Sequence, residues 1–495
     1  METEGESAEN IQSTAFSASP PRSPLSEAPA FFILLSLVLS IYLDEFFAAP
    51  AAAAAGLLIS AAALMLCTRE ARRGFFPVFL TVMLISSLAC GYSLYLMNRK
   101  AVLPGSVETR GSVLSVRRRR YDSALLIGTS YGRFAGYLRG NYLPREGSGV
   151  YLRGALFDFK RAKKNGGFDE ERYWRSRGAV KKIVLFEIRE ISPPKRIARW
   201  RAALAELIDE RLAPLTSAYM AAFTVGRRDD AAIEELHKRA GTSHLLAVSG
   251  LHVWIIAGLI LSLLPLRGML RFAVASASIW LYLLVSGLPV GGVRSALMIQ
   301  IMLLSAVVGR PSSAFNNVSA ASALLLLANP WSFYALGWRL SVAGALFVSA
   351  SVPLFRSSLC RAVCVPVLLW FVTAPFIASA FGEAPLAGLA LNAALVPAFG
   401  VIFPLVLILS IPPLFELPGA WIASAASESI LEALQNFIDA GASLFSGAAL
   451  FNPALFSASV VIFSAACALR CGSGLQRALL LSVFFLLFML YSAAM

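Results

Sequence analysis

Apolar runs long enough to cross a bilayer recur along most of this 495-residue chain. They restrict its fold more than any other feature does. A hydrocarbon core of about 30 Å takes about 20 apolar residues to cross, and a spanning segment must satisfy its own backbone hydrogen bonds. Such runs lie near 29–43, 46–67, 75–97, 244–264, 272–288, 293–309, 316–330, 332–355, 362–381, 387–413, 453–469 and 478–494. Composition agrees, at 57% hydrophobic and 15% charged, where a soluble domain carries about 25% charged residues. The expected class is a polytopic α-helical membrane protein of about 11–12 spans.

One hydrophilic block, 98–212, interrupts the series and holds the excess charge. The chain has 43 Lys+Arg against 29 Asp+Glu, a net charge of +14. Residues 98–212 hold 26 of the basic and 12 of the acidic residues, so this block alone accounts for +14. Short loops report topology, because Lys and Arg are retained on the cytoplasmic side. Arg69, Arg72 and Arg73 lie in one such loop, and Arg267/Arg271, Arg310, Arg356/Arg361 and Arg470/Arg477 recur in every second later one. Asp44, Glu45 and Glu383 occupy alternate loops. This pattern places the block and the C-terminus outside the cytoplasm, although a long domain crosses regardless of charge. A cationic domain on that face calls for an anionic partner there.

Within 98–192 the text alternates in short segments: "GSVLSV", "SALLIGT", "GRFAGYLRG", "GVYLRGALFDF" and "KKIVLFEIREI". Polar turns with Gly, Asn or Pro separate them, as strands require. Five short strands suit a small closed barrel, and an inserted OB-like domain is the leading expectation. Basic and aromatic residues interleave, the combination that binds single-stranded nucleic acid through phosphates and stacked bases. The candidates are Arg117, Arg118, Arg119, Arg120, Tyr121, Arg133, Lys160, Arg161, Lys163 and Lys164. The alternative is that Tyr131, Phe134, Tyr137, Tyr142, Tyr151, Phe157 and Phe159 fill the barrel while the cations only solvate it.

Flanking segments complete the division. Residues 1–28 are acidic and Ser/Pro-rich without a basic leader, and are expected to be a disordered tail. Residues 29–97 read as N-terminal membrane helices, 193–240 as an amphipathic helical connector and 241–495 as the main membrane domain. In the connector Ile197, Trp200, Leu204, Ile208 and Leu212 repeat at helical spacing, which suits the membrane surface. A second amphipathic helix is expected near 420–445, with Glu428, Glu432, Gln435 and Asp439 on one strip. It could lie in the interface or line a watery cavity. The six cysteines sit in or beside apolar runs and read as small hydrophobes rather than metal ligands.

The stretch "AGTSHLLAVSGLHVWIIAG", 240–258, is the most unusual of the apolar runs. It holds His244 and His252, two of the chain's three histidines, with Ser249 and Gly250 between them. Gly250 permits close backbone approach or local unwinding, tolerated at membrane depth only beside protein or a wet cavity. Eight residues bring the two imidazoles within about 80° of each other on a continuous helix, so both could face one cavity. A zinc pair, a Ser249–His252 catalytic pair and simple polar packing between helices remain open. Arg294 and Arg339 lie inside apolar runs, where a charge costs about 2.5–3.5 kcal/mol on insertion scales. They are expected to line a path and meet phosphates, or else to be internally paired or to snorkel near a span end. Pro353, Pro366, Pro375, Pro397 and Pro404, with Asn392, suggest broken helices.

With its upstream Gly, "HLLAVSGLHV" resembles the signature of the ComEC-type competence protein family. "NGGFDEERYWRSRGA" (165–179), "VRSALM" (293–298), "NPWSFYALGWRLSVAG" (329–344) and "LNAALVP" (391–397) resemble further family segments, in order. The resemblance implies a cytoplasmic-membrane channel that brings single-stranded DNA into the cell, with His244, Ser249, Gly250, His252, Arg294, Arg339 and Asn392 as channel residues. Partners implied are single-stranded DNA, membrane lipid, a DNA receptor, a motor or nuclease on other chains, and further copies of the chain. Many family members continue into a metallo-β-lactamase-like domain; here no His-x-His-x-Asp-His string occurs, so no nuclease and no metal or cofactor is expected. "GxxxxGK[ST]" is also absent. The rival readings are a transporter of another anionic or lipid-linked solute, and an intramembrane hydrolase using Ser249 and His252.

Overall fold

A computed structural model describes residues 29–43, 75–98, 105–118, 122–138, 142–160, 169–194, 197–263, 265, 267–309, 313–450 and 453–471. Two helices come first, α1 (Pro29–Leu43) and α2 (Phe75–Asn98), joined by the Ser36 and Ser87 hydroxyls. The strands β1 (Ser106–Arg118), β2 (Ser123–Thr129), β3 (Gly132–Leu138) and β4 (Gly149–Phe157) follow. A short helix α3 (Glu170–Arg175) then precedes β5 (Ala179–Ser192).

These five strands close into a barrel in the order β1-β2-β3-β5-β4, with β3 and β5 parallel and the other pairs antiparallel. The OB-like expectation is met. Period-2 alternation drives the closure: Val107, Val113, Leu125, Ile127, Phe134, Val150, Leu152 and Ile183 point inward and are buried. Outside, α3 covers a second apolar patch of Leu126, Phe159 and Trp174. The aromatics divide between the two alternatives. Phe134 and Phe159 belong to the core, whereas Tyr131, Tyr142 and Phe157 are about half exposed.

The connector holds α4 (Ile197–Arg211), α5 (Pro214–Met220), a π-helical turn Ala221–Val225, and α6 (Ala231–Arg239). In α4, Ile208 turns inward, as does Leu212 just after it, while Trp200 stays exposed, as suits a helix at a membrane surface. The π-turn is buried in the bundle's second core with Tyr219 and Met220.

The bundle follows with α7 (Ser243–Leu246), α8 (Gly250–Leu263), α9 (Gly268–Val285), α10 (Val290–Val308) and α11 (Ala314–Ala328). A 3-10 turn, Pro330–Tyr334, leads to α12 (Leu336–Ser351) and α13 (Ser358–Phe381). A two-stranded ribbon of β6 (Glu383–Pro385) and β7 (Ala448–Leu450) encloses α14 (Ala387–Leu409), α15 (Ile411–Leu414) and α16 (Ala420–Leu444), and α17 (Pro453–Cys471) ends the described chain. Among the described residues five helices are long and apolar enough to span, and five apolar helices are shorter. The expected runs at 46–67 and 478–494, and the tail 1–28, lie outside the described residues.

Two expectations need correcting. Pro366 and Pro375 sit inside a continuous α13, and Pro397 and Pro404 inside a continuous α14. Within a packed bundle neighbouring helices tolerate such prolines, so they do not mark the breaks. The run 244–264 is not one helix: the chain is non-helical at 247–249, between α7 and α8.

Candidate functional site

The break between α7 and α8 is built by its own side chains. The Ser249 N–H donates to His252 Nδ1 at 3.2 Å, and the Ser249 hydroxyl lies 3.0 Å from the same nitrogen. A residue three positions into a helix that accepts the N–H of the capping residue reproduces the reciprocal half of a capping box, here with an imidazole in place of Glu. A backbone N–H can only donate, so Nδ1 carries the lone pair and the neutral ring holds its proton on Nε2. Nε2 is buried without a partner.

Phenylalanines enclose that ring. Phe223, Phe399 and Phe403 lie 5.3, 5.1 and 4.7 Å from it between centroids, and Phe399 and Phe403 stack on each other at 5.7 Å. Phe223 comes from the π-turn, whose extra residue per turn shifts the direction of the side chains that follow; such turns recur at functional sites. The turn ends at Gly226, with φ of +70°, where a Cβ would lie 2.8 Å from the Ser286 carbonyl oxygen. Only glycine fits there.

His237, which sequence reading passed over, is the third member. Its Nε2 meets the Tyr219 hydroxyl at 2.9 Å and its Nδ1 the Thr242 hydroxyl at 2.9 Å. Burial pushes this imidazole down to about 4, partly offset by the Thr242 backbone and aided by His244, so it is neutral at pH 7. His244 is exposed yet close enough to influence both other rings. All three histidines of the chain therefore gather around the break, although His244 and His252 sit on different helices rather than on one. The signal available in the sequence was that His237 stands five residues before Thr242.

On the other side of the first turn of α8, Gly250 abuts α10. A Cβ there would lie 2.4 Å from Ser295 Oγ and 3.8 Å from Arg294 Nη2. Arg294 is buried, and its Nε and Nη1 have no partner among the described residues. Asn392 stands on α14 beside Gly388, which itself packs on Gly241 just before the motif. Arg339 goes elsewhere. Its Nε donates to the Phe333 carbonyl at 2.8 Å and its guanidinium lies 5.4 Å from the Phe333 ring, within the core around Pro330–Tyr334.

The same turn anchors the barrel. Asn329 Nδ2 donates to the Ser176 carbonyl at 3.0 Å, Arg175 covers the Trp331 ring at 4.8 Å and Arg172 the Tyr334 ring at 5.2 Å. The segments "DEERYWRSRGA" and "NPWSFY" thus contact each other. A second link runs through Arg201, which bonds Glu146 of the barrel, at 3.1 Å, and the Val225 carbonyl, at 3.0 Å.

The polar strip of α16 is divided: Glu428 faces protein, whereas Glu432 and Asp439 are exposed. Glu428 accepts from Leu215 N, Thr216 N and Thr216 Oγ1 at 2.9, 2.9 and 2.7 Å, and Arg239 reaches Asp439 at 3.3 Å. The other face leaves Trp421, Ile422, Phe437 and Leu444 exposed.

Among the described residues, Arg117 and Arg133 stand apart on the barrel. Register places Arg117 opposite Ala124 and Arg133 opposite Gly128, four residues apart along β2, or roughly 13 Å at about 3.3 Å per residue. Arg133 also bonds the Arg177 carbonyl at 3.3 Å. Lys160 is exposed, with its backbone N–H held by Glu170 at 3.1 Å. Burial alone would raise Glu170, but hydrogen bonds from Lys182 and that N–H hold it below the usual carboxylate range. Arg118 ends β1, and Arg119, Arg120, Tyr121, Arg161, Lys163 and Lys164 lie outside the described residues.

Chemically the break offers donors more than catalysis. No three His, Cys, Asp or Glu side chains among the described residues could hold a metal. Ser249 and His252 are in contact, but no described carboxylate orients the ring, as a hydrolytic triad requires.

Comparison with known proteins fits this geometry. The family model described as Competence protein matches residues 224–476. That range takes in Gly226, the His motif, Arg294, the 3-10 turn and Asn392. ComE operon protein 3 of Bacillus subtilis (strain 168) is 26% identical over 266 residues, covering 51% of this chain and 34% of that protein. The chain thus matches about a third of the length of that relative. No solved structure matches. With its match spanning more than half the chain and containing Ser249, Gly250 and His252 of the helix break, this polypeptide belongs to the competence protein family.

Proposed function

We propose that the protein takes part in DNA uptake during competence, the barrel receiving single-stranded DNA outside the cytoplasmic membrane and the bundle conducting it inward. The observation that carries this reading is the family match over the residues that build the helix break. The barrel's excess of cations supports an anionic cargo. Exposed Tyr131, Tyr142 and Phe157 supply ring faces on which bases can stack at about 1–3 kcal/mol each. Asn329, Trp331 and Arg201 hold the barrel against the bundle, so a captured strand would start near the bundle. Alternation of basic loops supports an outward-facing barrel. A receptor that delivers DNA, a motor or nuclease, and further copies of this chain complete the pathway in this reading.

Two measurements on the full chain test it. A cysteine placed at Tyr131 in a cysteine-free background should react with a membrane-impermeant maleimide added outside intact cells. Single-stranded DNA should bind the detergent-solubilised protein with an affinity that falls steeply with salt, the logarithmic slope being about −0.7 per phosphate contacted. Labelling only after permeabilisation, or salt-insensitive binding, would reject the reading.

A further inference from the structure

We infer that the break before Gly250 and the guanidinium of Arg294 together seat one phosphate oxyanion. Helix α8 is 14 residues long, so its first turn presents amide N–H groups without intrahelical acceptors and a positive dipole end. Helix starts of this kind bind phosphate. The Ser249 N–H is already given to His252 Nδ1, which leaves the next amides, beginning at Gly250, to an outside acceptor.

The second observation is independent of the helix start. Arg294 is 6% exposed, and its Nε and Nη1 find no acceptor among the described residues. Arginine does not lose its charge in proteins. An uncompensated buried charge is strongly unfavourable, so this group calls for an anion. Its Nη2 stops 3.8 Å from where a Cβ on Gly250 would stand. The Ser295 hydroxyl lies 2.4 Å from the same point, so glycine at 250 is what lets the start of α8 approach this fork. A phosphodiester has two non-bridging oxygens to divide between a guanidinium fork and a helix start. The seat rests on the DNA-uptake reading only for the source of that phosphate, a strand in transit; a lipid headgroup carries the same chemistry.

The test uses the full chain in maltoside micelles, free of phosphorus, and equilibrium dialysis against radiolabelled inorganic phosphate. The wild type should bind saturably. Arg294→Gln should weaken binding at least tenfold, and Arg294→Lys, which keeps the charge but loses the fork, severalfold. Unchanged binding in either folded variant, or no saturable binding by the wild type, overturns the seat. Should Arg294→Gln fail to fold, Arg294→Lys decides alone. Competition identifies the source: displacement by a deoxythymidine oligomer supports a strand in transit. Displacement by phosphatidylglycerol alone keeps the seat and counts against the uptake reading. Conversely, DNA uptake that proceeds normally in an Arg294→Gln strain whose purified protein binds no less phosphate removes the seat and leaves uptake standing.

Discussion

Gly250→Ala should change sign with the residue opposite it. In the wild type a Cβ at 250 would meet Ser295 Oγ at 2.4 Å, far inside contact distance, while the Ser295 Cβ would be 3.5 Å away. Ser295 is 2% exposed, so its hydroxyl has little room to turn aside. Overpacking of this kind costs about 1–3 kcal/mol. Against it stands the gain of about 0.4–1 kcal/mol when alanine replaces glycine at a compatible position. The net expectation is a destabilisation of about 0.5–2 kcal/mol. Ser295→Ala removes the oxygen and leaves ordinary contacts at 3.5 and 3.8 Å, so Gly250→Ala in that background should stabilise by about 0.4–1 kcal/mol. Equilibrium unfolding of the four proteins in mixed micelles gives the coupling energy directly. Effects that add within about 0.5 kcal/mol would refute the close approach of α8 and α10.

Other perturbations follow from the same contacts. His237 is neutral in the folded chain down to about 4, whereas unfolded it titrates at its ordinary 6.5. Between those values the unfolded state binds more protons, so this ring contributes a fall in stability of about 3 kcal/mol as pH drops from about 6.5 to 4. His237→Gln should remove that share of the pH dependence in pH-resolved unfolding. Glu428→Ala strips three acceptor bonds from the start of α5. It should cost about 1.5–3 kcal/mol, with Glu428→Gln losing less, as read by the same unfolding assay. Asn329→Ala should speed amide exchange across 169–177 while leaving the barrel interior protected, because it releases the turn that holds α3.

Much of this architecture is legible in the sequence, for identifiable reasons. Apolar runs of span length and the period-2 segments of the barrel are one-dimensional signals, and both survive into the fold. The polar residues of 240–252 stand out because nothing around them is polar, and the structure does gather them at one break. The π-turn at Ala221–Val225 left no such mark. Its "AAFTV" reads like any apolar helix, since a π-turn differs in hydrogen-bond register and not in composition. Phe223 was therefore missed. The proline expectation failed because a proline's cost depends on neighbouring helices, which α13 and α14 have. The surroundings of the α16 strip stay open in the sequence because the partner of Glu428 lies 213 residues away. Arg294 and Arg339 looked alike in sequence; a carbonyl from six residues away anchors Arg339, and nothing described anchors Arg294.

Uptake itself can be followed with labelled double-stranded DNA given to competent cells, scoring both total bound label and the fraction resistant to added nuclease. In a strain lacking this chain, surface-bound label should remain and the resistant fraction should vanish, returning when the wild-type chain is supplied. An undiminished resistant fraction in the deletion strain would contradict a role in carrying DNA across the membrane.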